Sequence, residues 1–372
     1  MRNATYLDYA SLTPPVPEAL DAMRAAAEES WGQPASLHTI GGRALLALDS
    51  ARRRVADYLE TTWQEVVFTS SGREALTIAM AQALATVPKG GIVVANRQDH
   101  PAMLVMVEAA AADGYDVRWL AMPAGVPNAD DRRELQGASL VVLSACNHEL
   151  GTSLLDVLAE VPTSAVRVID AAQAAPWVSL ASLNDERTYY ALSGAKLGAP
   201  LGVGAVRVPS KAFYEARRHG VPLEGESPPW LMAIALGAAC ERRASGRDEH
   251  LKLARERAEV LLAGLRTVTP GLVVNGSAEA RLGPILNVSF PDQYGKAMVA
   301  ALSLEGVCIS HTAACQARRS EVSPVVRAAY PDDPARAAGA TRWSVSERVT
   351  PEDIAFAVDA VKRLLAPRKS LA

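Results

Sequence analysis

Lys196 is the residue of this chain best placed by its neighbours to do covalent chemistry. It stands in Ala191-Leu192-Ser193-Gly194-Ala195-Lys196-Leu197-Gly198-Ala199-Pro200 and is followed by Leu201-Gly202-Val203-Gly204. Glycines at this density permit turns and close approach that bulkier residues would forbid. A primary amine in a tight, partly dry pocket loses its charge more readily, and only the neutral amine attacks an aldehyde. That suits a lysine that holds pyridoxal phosphate (PLP) as a Schiff base. The chain has seven lysines against 31 arginines, and the other six stand in turn, helix-like or terminal segments. Asp170 closes the strand-like run Val166-Arg167-Val168-Ile169, 26 residues before Lys196. An acid at the carboxyl end of a parallel strand points into the crevice where open α/β sheets bind ligands. The PLP ring needs such a carboxylate at its pyridine nitrogen in order to act as an electron sink. Capping a helix is the other use of an aspartate there.

Further candidates flank this pair. Ser70-Ser71-Gly72-Arg73-Glu74-Ala75 follows the strand-like Val66-Val67-Phe68-Thr69 and opens a helix. Small residues at such a turn expose backbone N–H groups at the positive helix end, where an anion binds, and Arg73 could pair with a phosphate or a substrate acid. His100, in Gln98-Asp99-His100-Pro101, follows the run Gly91-Ile92-Val93-Val94-Ala95, and an imidazole titrates near neutrality. Asn147-His148-Glu149-Leu150-Gly151-Thr152 follows the strand-like Leu140-Val141-Val142-Leu143-Ser144. Cys315 lies in the polar stretch His311-Thr312-Ala313-Ala314-Cys315-Gln316, near the cations His311, Arg318 and Arg319 that favour thiolate. Cys146, Cys240 and Cys308 lie in or beside apolar runs, as small hydrophobes do. Arg342, in Thr341-Arg342-Trp343-Ser344, has the guanidinium suited to bidentate binding of a carboxylate.

Together these stretches resemble the class V aminotransferase family, nearest to the NifS/IscS-type cysteine desulfurases. The likeness runs from Tyr6-Leu7-Asp8-Tyr9-Ala10 to the C-terminal helix. It implies a fold-type I PLP enzyme: an α/β large domain with a mostly parallel sheet, over 14–245, and a smaller α+β C-terminal domain, over 246–372, joined by the N-terminal segment 1–13. It implies that Lys196 holds PLP, that Asp170 meets the ring nitrogen, and that His100 stacks on the ring and moves protons. Gly72 and Arg73 then fall at the phosphate turn, with Gln173 and Ser193 as further cofactor contacts. His148 falls where an asparagine meets the cofactor or substrate. Arg342 grips the substrate α-carboxylate, and Cys315 is the sulfur-carrying thiol. The implied reaction converts L-cysteine to L-alanine and leaves a persulfide on Cys315, in a homodimer that hands sulfur to an acceptor protein. The chain departs from the family pattern at Arg73, His148, Ala195, Leu223-Glu224-Gly225-Glu226 (for Arg-Ser-Gly-Thr) and Ser346-Glu347. Those departures keep open a C–S lyase, aminotransferase or epimerase acting on another amino acid.

Elements to position these residues are legible. The chain is 372 residues long, 49% hydrophobic and 21% charged, enough for a sizeable core with one large and one smaller domain. The apolar runs predict strands at 66–69, 91–95, 140–144, 165–169, 203–208, 285–290 and 307–310. Helices are predicted over 14–30, 42–59, 210–219, 296–304 and 351–365, and one long helical stretch interrupted near Ser245-Gly246 over 230–268. A formal net charge of −3 gives no reason to expect nucleic acid as a partner. No apolar run nears the ~20 residues that span a bilayer. Asp8 comes before any signal-like apolar core could form, so a cytoplasmic enzyme is expected. The cysteine spacing suggests neither a zinc site nor a disulfide framework.

Overall fold

The computed structural model describes residues 4–218, 223–224, 228–313 and 321–366. A short strand, β1 (Thr5–Tyr6), precedes a large sheet built from β2 (Val66–Thr69), β3 (Ile92–Asn96), β4 (Asp116–Leu120), β5 (Leu140–Ser144), β6 (Val166–Asp170), β7 (Thr188–Ser193) and β8 (Gly204–Arg207). Its order is β4-β3-β5-β6-β7-β8-β2, with β8 antiparallel to both its neighbours and the other pairs parallel. Strands β5 and β6 are buried along nearly their whole length, as a sheet covered on both faces requires. Val166 and Val168 pack against the helix Gly72–Leu84 on one face. Leu143 and Ile169 belong to a second core with the helices Thr39–Leu59 and Trp230–Ala244. The fold is α/β with a mostly parallel central sheet.

The register gathers one set of strand ends. Ser144 pairs with Asp170, Asp170 with Ala191, Ser193 with Gly204, and Gly204 with Thr69. The carboxyl ends of β2, β5, β6 and β7 therefore share one rim, and the turns that follow them open into the same crevice.

A smaller antiparallel sheet follows, from β9 (Val273–Asn275), β10 (Ile285–Ser289) and β12 (Ala340–Ser344), with β10 in the middle. Strand β11 (Val307–Cys308) pairs with β1 instead. The N-terminal strap thus starts beside β11 and bridges at Asp8 to Ser344. It then crosses to the large sheet, where Thr13 N–H donates to Ala195 O.

Predicted and observed elements differ mainly at their ends. The first long helix covers Pro17–Glu29 with Pro17 at its start, where a missing N–H costs nothing. The second begins at Thr39 and not at Gly42, because His38 Nδ1 accepts from Gly41 N–H at 3.2 Å and caps it. The strand expected over 307–310 stops at Cys308, since Ser310 instead exchanges hydrogen bonds with Arg342. Strand β4 and the capped helix Ala129–Gln136 went unpredicted, because β4 mixes charged and apolar residues and the helix is mostly polar.

Candidate active site

Lys196 sits in a single helical turn, Gly194–Leu197, directly after β7. Gly198 ends the turn at φ +92°, a conformation that side chains other than glycine's rarely adopt. Gly204 lets the neighbouring turn close down on the sheet: a Cβ there would lie 2.6 Å from the Ser71 carbonyl carbon and 2.7 Å from Leu192 O. The Lys196 ammonium donates to the Ser11 carbonyl of the N-terminal strap. Thr13 Oγ1 donates to Lys196 O at 3.0 Å.

Asp170, the last residue of β6, accepts from Ala172 N–H at 2.9 Å in a local turn and caps no helix. Burial raises its pKa from the ordinary aspartate value, while His100, the Ala172 amide and Lys196 oppose this. His100 caps the helix Pro101–Ala112, its Nδ1 accepting from Ala102 N–H at 3.2 Å. Burial lowers the His100 pKa, Asp170 opposes that, and Arg73 and Lys196 add to it. Ser71 caps the helix Gly72–Leu84, and a Cβ on Gly72 would stand 3.1 Å from the Ser193 Cβ. Gln173 donates from Nε2 to Ala10 O at 2.9 Å.

Arg342 lies in the middle of β12 and is 2% exposed. Its Nη1 donates to His148 O at 2.8 Å, and its Nη2 to Asp8 Oδ1 at 3.0 Å and Ser11 Oγ at 2.6 Å. Its Nε has no hydrogen-bond partner among the described residues. His148, 7% exposed, meets His100 edge-on with ring centroids 5.5 Å apart. Both its ring nitrogens lack a hydrogen-bond partner among the described residues. Burial, with the positive charges of His100, Arg342 and Lys196, holds it neutral, well below the usual histidine range.

These groups line one cavity of about 440 Å3. Gly72, Arg73, His100, His148, Asp170, Gln173, Ser193, Lys196 and Arg342 all border it, with Ser11 and Ala313. The sequence-predicted residues from the large sheet and the arginine of the small sheet thus come together. Cys315 lies outside the described residues, as do Ala314, Gln316, Arg318, Arg319, Gly225 and Glu226. A larger cavity, about 580 Å3, adjoins Val166, Arg187 and Tyr189 near the amino ends of β6 and β7, the wrong end of parallel strands for a ligand.

Four residues of this region escaped the sequence reading. Asp8 and Ser11 hold Arg342 from 334 and 331 positions away, which no local pattern signals. Asp99 is 2% exposed behind the cavity wall, where its Oδ2 accepts weakly from Ser144 N–H at 3.3 Å and its Oδ1 from no described residue. Burial pushes its carboxyl up to about 7; the Ser144 hydrogen bonds oppose this and the charge of Asp170 adds to it. Glu149, fully buried, accepts from Thr312 Oγ1 at 2.5 Å, Ala313 N–H at 3.0 Å and Ser323 Oγ at 2.5 Å. Cys146 also borders the cavity, but burial and then Asp170 push its thiol up to about 12, which keeps it protonated and unreactive.

Comparison with known proteins shows what the chain is similar to. The profile of the family "Aminotransferase class-V" matches residues 5–355. Cysteine desulfurase 2 of Trichormus variabilis is 30% identical over 97% of this chain and 92% of its own length. Cysteine desulfurase NifS of Azotobacter vinelandii is 30% identical over 98% of this chain and 94% of its own. A solved structure titled NifS-like protein superposes with a TM-score of 0.84 at 24% identity, covering 97% of this chain and 99% of that one.

Proposed function

The chain belongs to the class V aminotransferase family, and on that premise we propose that it is a PLP-dependent cysteine desulfurase that converts L-cysteine to L-alanine and passes the sulfur to Cys315. The observation that carries the reading is the meeting of Lys196, Asp170, His100 and Arg342 around one cavity. The relatives named as cysteine desulfurases cover nearly the whole chain and support it.

The residues present fit pyridoxal phosphate. A carboxylate that burial makes costly welcomes a cationic ring nitrogen, which Asp170 would meet. Lys196 would hold the aldehyde carbon, and His100 would cover the ring. Gln173, Ser193 and His148 would face its polar edge. The N–H groups after Ser71, with Gly72 and Arg73, would hold the phosphate at the start of a 13-residue helix. When bound, the cofactor supplies an electron sink for the pair left at the substrate α-carbon.

The chain's own residues then divide the work. The substrate carboxylate would meet Arg342 at the cavity wall, where Asp8, Ser11 and the His148 carbonyl hold the guanidinium in place. Lys196, as a neutral amine, takes the α-proton, and the Ser11 carbonyl receives its ammonium form. Cys315 would attack the substrate sulfur as thiolate, so that a persulfide is left on the enzyme and the electron pair of the broken C–S bond stays on the substrate's β-carbon, which takes up a proton to become the methyl group of alanine.

We take the working form to be a homodimer with large and small domains over 14–245 and 246–372. Trp31, Leu46 and Leu201 are 63%, 69% and 70% exposed, apolar surface that a second copy of the chain would cover. Leu201 borders the cavity itself. A sulfur-acceptor protein would meet Cys315.

One observation favours a class V enzyme acting on a different amino acid. Glu224, where the desulfurase pattern has Arg-Ser-Gly-Thr, is turned back onto its own large sheet. It accepts from Arg52 Nη2 at 2.7 Å and from Phe68 N–H at 3.0 Å. Product analysis separates the readings. PLP-loaded protein given L-cysteine and a thiol reductant should yield alanine and sulfide in equal amounts. Pyruvate and ammonia with the sulfide would mean a C–S lyase, and no reaction with L-cysteine would remove the desulfurase reading.

A further inference from the structure

We propose that Glu149 is a positioning residue for the sulfur-transfer step: its one carboxylate holds both ends of the stretch that carries Cys315, and so sets where that stretch leaves the cavity wall and where it rejoins the fold. This role rests on the reading that Cys315 is the sulfur-accepting thiol.

Glu149 is fully buried in the turn that follows β5. Its Oε1 accepts from Thr312 Oγ1 at 2.5 Å and from Ala313 N–H at 3.0 Å, and its Oε2 accepts from Ser323 Oγ at 2.5 Å. Cys315 falls between these donors in the chain, two residues after Ala313 and eight before Ser323. Hydrogen bonds to a charged acceptor are about twice as strong as neutral ones, and a carboxylate buried without them is costly. Departure of either end would leave the buried group half satisfied. The two ends are therefore held as a pair, and the stretch between them is closed by one side chain.

The anchor is itself fixed. Asn147 Oδ1 accepts from the Glu149 and Leu150 N–H groups, each at 2.9 Å, and Asn147 Nδ2 donates to Gln98 O at 2.8 Å. Asn287 in β10 donates from Nδ2 to Glu149 O at 3.2 Å. The chain beyond each held end is tied as well. Ser310 exchanges backbone hydrogen bonds of 2.6 and 3.1 Å with Arg342, and Ser323 Oγ accepts from Val326 N–H at 3.0 Å. Ala313 borders the cavity. His148, the residue before Glu149, gives its carbonyl to Arg342 Nη1 at 2.8 Å. One turn thus holds the guanidinium that would bind the substrate carboxylate and, one residue on, the two ends of the stretch that would bring the thiol. Relative placement of reacting groups is where a shift of about 1 Å costs most in rate.

Two variants test this from opposite sides, each as PLP-loaded protein. Glu149→Gln keeps the shape but sets an NH2 against the donors at one end, and Thr312→Val removes a donor and leaves Glu149 in place. Trypsin should cut after Arg318 and Arg319 about tenfold faster in each variant, the weight of one hydrogen bond to a charged group. Cutting after arginines elsewhere should stay within about twofold of wild type. The double variant should gain less than the product of the two single effects, because both remove the same contact. Unchanged cutting after Arg318 and Arg319, or equal acceleration at every site, would overturn the proposal without any turnover being measured. In a single turnover of L-cysteine, Glu149→Gln should form the Cys315 persulfide about tenfold more slowly. The L-cysteine concentration that half-saturates the change in cofactor absorbance should stay within about twofold. Equal losses in binding and sulfur transfer would mean that Glu149 shapes the pocket in general, and the positioning role would fall. If wild type forms no persulfide, the desulfurase reading fails, and the trypsin comparison still decides whether Glu149 holds the stretch.

Discussion

Asp99→Asn should make the PLP-free protein more stable above neutral pH. The wild-type carboxyl is 2% exposed, and among the described residues it has one weak hydrogen bond and one oxygen that accepts none. Its pKa moves from the ordinary 3.8 up to about 7 on folding. For an acid raised in this way, the folded state binds the proton between about pH 4 and 7 while the unfolded state has lost it. Stability is therefore full below the unfolded value and falls by about 1.4 kcal/mol per pH unit up to the folded value. Three units make a penalty of about 4 kcal/mol, constant above pH 7. Asparagine has the shape of the neutral acid and escapes that penalty, but its buried NH2 lacks acceptors, which costs about 1–3 kcal/mol. The net expectation is a variant roughly 1–3 kcal/mol more stable at pH 8 and equal or less stable at pH 4.5. Urea unfolding of both proteins at those two pH values measures it, and taking the difference between variant and wild type cancels groups that titrate alike in both. Asp170→Asn should narrow the effect, because the charge of Asp170 helps to raise Asp99. A variant destabilised equally at both pH values would refute the reasoning.

Borohydride reduction of the PLP-loaded enzyme should tag Lys196 and no other lysine, read by peptide mass; a tag elsewhere would remove Lys196 from its role. Asp170→Ala should keep measurable PLP binding but lose turnover by about 10²–10³-fold, the effect of a preorganised charge, and near-normal rates would exclude Asp170 from the mechanism. Gly151→Ala should unfold at lower urea by roughly 2–4 kcal/mol. Its φ is +71° and a Cβ there would lie 2.6 Å from Ile285 O, so a change under about 0.5 kcal/mol, the size of an ordinary surface substitution, would contradict the packing described.

Much of the site was legible in the sequence where residue type and strand register coincide. Asp170 at the end of an unbroken apolar run and Lys196 after the next strand could be placed on one rim by the geometry of parallel strands alone. Arg342 was legible as a type of anchor, but its partners were not. Asp8 and Ser11 reach it because the N-terminal strap starts at β1 beside β11 and runs past β12 toward the large sheet, a crossing that no periodicity predicts. Glu149 was part of a quoted motif without a role, since its donors Thr312 and Ser323 lie more than 160 residues on. Asp99 beside His100 drew no reading from the sequence, because only its burial in the fold raises its carboxyl to about 7. His38 reads from the sequence as a polar group of a loop, and the structure uses it to cap the helix Thr39–Leu59.

The most direct test of the central claim is the mass of the Cys315 peptide. PLP-loaded wild-type enzyme should be quenched by alkylation after one turnover of L-cysteine without reductant, then digested and weighed. The account predicts one added sulfur atom on Cys315, alanine equal to the enzyme, and neither in a Cys315→Ser variant that still binds PLP. An unmodified Cys315, or a Cys315→Ser variant that forms alanine and sulfide at the wild-type rate, would contradict it.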